Sequence, residues 1–171
     1  MQSGQSQQRL DMLGESLSEQ LNVYRQLLEL AKKERDALVA SKIETLNDVV
    51  SQKTYFSQLS DRIEDRRIAL MTELAVSFNC RFEDFTLQRL ANLIDQSTSE
   101  KFLQLRSDLT AVIKELKKEN DTNKRLITHC IMLMDNSVNI LNSMLCREST
   151  YIHTGYFNKA NGGGFVFSGK I

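Results

Sequence analysis

The 171-residue chain carries 22 Lys and Arg against 22 Asp and Glu, so no overall field draws it to nucleic acid or to an anionic membrane. An apolar fraction of 41% with 26% charged residues belongs to a folded protein and excludes a disordered one. The N-terminus lacks a basic start followed by an apolar run, and no stretch of about 18 apolar residues exists, so neither secretion nor membrane insertion is expected.

Residues 1 to 8 are polar and are read as frayed. From Leu10 a helical face runs Leu10, Leu13, Leu17, Leu21, Tyr24, Leu28, Ala31, in steps of three and four. This first helix extends to about Ala40. Ser41 stands three residues before Glu44, a capping-box pattern that starts a second helix and places a chain reversal near Ser41. The second helix carries Ile43, Leu46, Val49 or Val50, Phe56, Leu59, Ile63, Leu70 and Leu74. Residues 77 to 86 break the period. A short helix around Leu87, Leu90, Ala91 and Ile94 follows, capped by Thr86 or Asp84. The STSE at 97 to 100 is a second capping box, opening a long helix to about Cys146. The expected fold is all-α: an elongated antiparallel helical hairpin or bundle with a short connecting helix and a long C-terminal helix. One coiled-coil-like domain covers 1–147, and a flexible glycine-aromatic tail covers 148–171.

The long helix carries the stripe Leu109, Ile113, Leu116, Asn120, Asn123, Ile127, Cys130, Met134, Ser137, Leu141, Met144. The two asparagines stand where apolar residues are due. They read either as a polar layer that fixes register or as the point where the helix changes partner. Beyond Asn123 the apolar residues widen into an arc. Ile131, Val138 and Leu145 run beside the stripe, and Leu133 and Ile140 extend it further. A helix apolar over such an arc is either central or short of a partner. Met132, Met134 and Met144 read as adaptable contact residues or as core filling.

Nothing catalytic stands out. His129 and His153 lie in no ligand or nucleophile motif, and the GGG at 162–164 lacks the lysine and helix that a phosphate loop needs. The three cysteines, Cys80, Cys130 and Cys146, form no CxxC, and reduced thiols in a cytosolic setting are expected. No enzyme activity, metal or cofactor is anticipated. Glycine is absent between Gly14 and Gly155, and proline throughout; five of the seven glycines then arrive in the tail with Tyr151, Tyr156, Phe157, Phe165 and Phe167.

LLELAKKERDALVASKIETLNDVVSQKTYFSQLSDRIEDRRIAL, with Lys53 and Arg66, then ENDTNKRLI with its Asn-x-x-Asn, then TYIHTGYF, together resemble the FlgN-type flagellar export chaperones. The resemblance covers nearly the whole chain. It implies a cytoplasmic chaperone of flagellar type III export that binds the C-terminal amphipathic helix of hook-filament junction proteins and prevents their premature assembly. Client contact is then expected from Asn123, Ile127, Ile131, Met134, Val138, Leu141 and Leu145. A tyrosine after the last helix, Tyr151 or Tyr156, is expected to dock at the export gate and its ATPase complex. The wide apolar arc also fits a weak homodimer of the empty chaperone. The alternative is a scaffold whose arc makes a permanent oligomer.

Overall fold

Four helices make up the described chain: α1 (Gln2–Val39), α2 (Ile43–Ser77), α3 (Leu87–Ala91) and α4 (Gln96–Arg147), with a 3-10 turn at Phe82–Asp84. The computed structural model describes residues 2–147 and the side chains of residues 5–144. Among the described residues, those up to Ile127 form one compact unit and those from Thr128 a second. In the first unit the α1/α2 hairpin packs on α4, with α3 as a short connector. The all-α class expected from the periodicity is the one found.

Two adjacent stripes of α1 are buried, because two helices pack on it. Leu10, Leu13, Leu17, Leu21, Leu28 and Ala31 make the stripe seen in the sequence; Ser16, Gln20, Val23, Leu27, Leu30 and Glu34 make another beside it. The second stripe meets α2, where Gln20 Nε2 donates to Glu64 Oε2 at 2.9 Å and Val23 and Leu27 pack with Ile63. The first borders α4. Phe102 lies so near Gly14 that a Cβ there would sit 3.3 Å from Cε1, and Ala31 faces Asn123 further along. The two helices therefore run parallel. Leu10, Leu13, Leu17 and Leu21 join Leu70, Leu74, Phe85, Leu90, Phe102 and Leu109 in the main core. Phe85 stacks on Phe78 at 6.1 Å and closes the end where the 3-10 turn enters.

Several boundaries differ from the sequence reading. The polar start is helical from Gln2, so it is not frayed. Ser41 is not a cap. A reversal this short needs a left-handed residue, and Ser41 supplies it at φ 53°. The Ser41 N–H donates to Leu38 O and the Lys42 N–H to Ala37 O, the paired bonds of a Schellman ending. Helix α2 then starts at Ile43 behind Lys42, which makes no side-chain cap bond. Asn79 ends α2 in the same way, at φ 52° with bonds to Val76 O and Ala75 O through Asn79 and Cys80. Ile43 itself is exposed, and of the Val49/Val50 pair it is Val49 that is buried. Thr86 caps α3 by accepting from Arg89 N at 3.2 Å. Asp95, not Ser97, caps α4: its Oδ2 accepts from Thr98 N at 2.9 Å, which starts the helix before the STSE.

A serine held left-handed costs about 1–2 kcal/mol, which glycine avoids at the expense of a looser unfolded chain. Ser41→Gly is accordingly expected to stabilise by about 0.5–1 kcal/mol in urea unfolding, whereas the same change at exposed Ser51, inside α2, is expected to cost a similar amount.

Candidate functional site

The stripe of α4 that packs in the first unit is Phe102, Leu105, Leu109, Val112, Leu116, Glu119, Asn123, Leu126, all buried or half-buried. The sequence reading placed Ile113, Asn120 and Ile127 in this stripe. All three are exposed, and their preceding neighbours Val112, Glu119 and Leu126 take the inward positions. Glu119 is turned inward by charge: Arg35 of α1 pairs with it at 2.6 Å, and Lys32 pairs with Glu115 one turn earlier at 3.1 Å.

Asn123 is 2% exposed and belongs to a polar layer joining three helices. Its Nδ2 donates to Ala31 O at 2.8 Å and to Glu34 Oε2 at 2.7 Å. Lys53 Nζ of α2 donates to the same Glu34 oxygen at 2.6 Å and to Asn120 Oδ1 at 3.1 Å. The Asn123 amide cannot be turned the other way without aiming Oδ1 at two oxygens, so that oxygen is left buried without a partner. This arrangement fits the register reading of Asn123. It does not leave Asn123 on an open surface with the other expected client contacts.

In the second unit every described side chain from Ile131 to Met144 is exposed. Ile131, Met132, Leu133, Met134, Val138, Ile140, Leu141 and Met144 keep 51–67% of their surface open, and Ile127, at the end of the first unit, keeps 38%. Single exposed apolar residues are ordinary, but eight within 14 positions of one helix are an unusual concentration. Leu133, Ile140 and Met144 are as open as the expected contacts Ile131, Met134, Val138 and Leu141, whereas Met132 lies on the polar side of the helix. Leu145, whose side chain lies outside the described residues, and Tyr151 and Tyr156 beyond α4 have no described placement.

The chemistry of the rest is structural. No group of His, Cys, Asp and Glu among the described residues could hold a metal ion. Cys80 and Cys130 are free and half-buried. Arg67 grips the Glu64 carboxylate through Nε at 2.8 Å and Nη2 at 2.6 Å, and with Gln20 it holds that carboxyl below its ordinary value of 4.5. The Thr98 backbone and side chain likewise hold Asp95 below 3.8. A lowered carboxyl contributes stability above its unfolded value and loses it as pH falls through the folded value. The melting temperature is therefore expected to drop below about pH 4, followed by circular dichroism, with a shallower drop in Glu64→Gln.

No helix of the described residues is long and apolar enough to cross a membrane. A protein-family model described as FlgN protein matches residues 9–156. No curated protein and no solved structure gives a significant match.

Proposed function

The chain belongs to the FlgN family, the non-enzymatic cytoplasmic export chaperones for hook-associated proteins, and on that premise we propose that it holds its client on the open apolar face of α4. The client segment in this reading is an amphipathic helix from the C-terminal end of a hook-associated protein. It lays its apolar side along Ile131, Met134, Val138 and Leu141, flanked by Ile127 and Leu145. The observation that carries the reading is the exposure of eight large apolar side chains from Ile131 to Met144. A helix-in-groove contact uses anchors at three- and four-residue spacing, and this row has that spacing. Methionines beside it suit a surface that accepts more than one sequence.

Open apolar surface also favours weak self-association of the empty chaperone, reversed by client. The tail 148–171 is a separate segment in this reading, in which Tyr151 or Tyr156 docks at the export gate and its ATPase complex. Isothermal titration with a peptide copying the client's C-terminal helix tests the first part. Saturable binding with a negative heat-capacity change is the expected result, and no binding at 100 μM peptide defeats it.

A further inference from the structure

We infer that the open segment of α4 takes two helical segments of one client chain at once, not a single helix. This rests on the client reading above and names what the surface accepts. At roughly 100° per residue, the open side chains fall into two rows about 100° apart. Ile131, Met134, Val138 and Leu141 form the first. Leu133, Ser137, Ile140 and Met144 form the second, in steps of four, three and four. The polar side chains His129, Asp135, Asn136, Asn139, Asn142 and Ser143 occupy the remaining half of the circumference with Met132 single among them, so the described residues form no third apolar row.

Each row has a precedent in the same protein. The second row continues the seven-residue register of Val112, Leu116, Glu119, Asn123 and Leu126, the seam on which α4 is already covered by helices. Helix α1 shows what two adjacent rows mean: between them they bury against two other helices, α2 and α4. A single helix docked on one seam covers a stripe about 100° wide and leaves the other wet. Two segments of one chain are favoured over two molecules, because the second then binds at high effective concentration and only one partner's translational freedom is lost.

The test compares two probes by titration: an intact, unassembled hook-associated protein and a peptide copying its C-terminal helix alone. The full-length chaperone is used as wild type, as Leu133→Asp/Ile140→Asp and as Val138→Asp/Leu141→Asp, each checked for helix content by circular dichroism. The expected result is that the second-row pair weakens the intact client by about 100-fold while changing peptide binding less than 3-fold. The first-row pair weakens both. Second-row substitutions that leave the intact client within 3-fold overturn the inference while the client reading stands. So does a second-row pair that weakens peptide and client equally, since one helix then spans both rows. A loss of self-association by light scattering with unchanged client affinity assigns the second row to a second copy of this chain, and the inference is again overturned. If the first-row pair also leaves both probes bound as in wild type, the client reading itself is lost.

Discussion

Aspartate at both Val138 and Leu141 is expected to weaken a hook-associated client by two to four orders of magnitude while the chaperone keeps its helix content and melting temperature. Both residues are exposed in the lone chain, at 54% and 59%, so the folded state loses little when they become polar. Burying a side chain of this size against a partner is worth about 1.5–3 kcal/mol, so two lost contacts amount to about 3–6 kcal/mol. At about 1.4 kcal/mol per factor of ten, that gives the stated range before the cost of desolvating two carboxylates is added. Asn139 and Asn142, on the polar side of the same helix, supply the control: Asn139→Asp/Asn142→Asp adds the same two charges and is expected to change affinity less than 3-fold. A first-row double variant that binds as wild type would remove the basis for placing the client on this face.

The second large effect concerns stability. Lys53→Met is expected to cost about 2–4 kcal/mol in urea unfolding, because it strands a carboxylate that is 7% exposed. The estimate sits below the full range for a buried pair because the Lys53 side chain is itself 22% exposed and shares its charge with solvent. Adding Glu34→Gln should recover most of the loss, since a neutral amide needs no counter-charge. A single variant costing under 0.5 kcal/mol would mean that the pair is effectively solvated. The layer also explains why a lysine and an Asn-x-x-Asn are spaced as they are. Lys53 stands at an inward position of α2, and Asn120 and Asn123 are one helical turn apart, so a single ammonium and a single carboxylate reach both asparagines.

Helices and the hairpin were legible because long runs free of glycine and proline repeat at three and four residues. The rows of α4 were less so, and the reason is local. Val112 and Ile113 are both apolar, as are Leu126 and Ile127, so periodicity alone leaves a choice between two neighbouring rows. Arg35 on another helix settles it by holding Glu119 inward. Glu34 was invisible for the same kind of reason: within AKKERD it looks like any solvated acid, and only the approach of Lys53 and Asn123 makes it an interior residue. Ser41 failed as a cap because the sequence cannot show which residue a tight reversal will force left-handed. The surplus of apolar residues after Asn123 could be read directly, since more faces were greasy than so short a chain could cover.

The buried amide of Asn123 has one more consequence. Because the seam of α4 has the same seven-residue pitch before and after Asn123, shape by itself would tolerate a slide of one repeat, exchanging Asn123 for Cys130 and Glu119 for Leu126. A thiol is too feeble a donor to satisfy both Glu34 and the Ala31 carbonyl, and the Arg35 guanidinium would lose its carboxylate. The layer thus works as a ratchet tooth, penalising the misaligned state in which the packed seam would be shifted by one repeat towards the open segment.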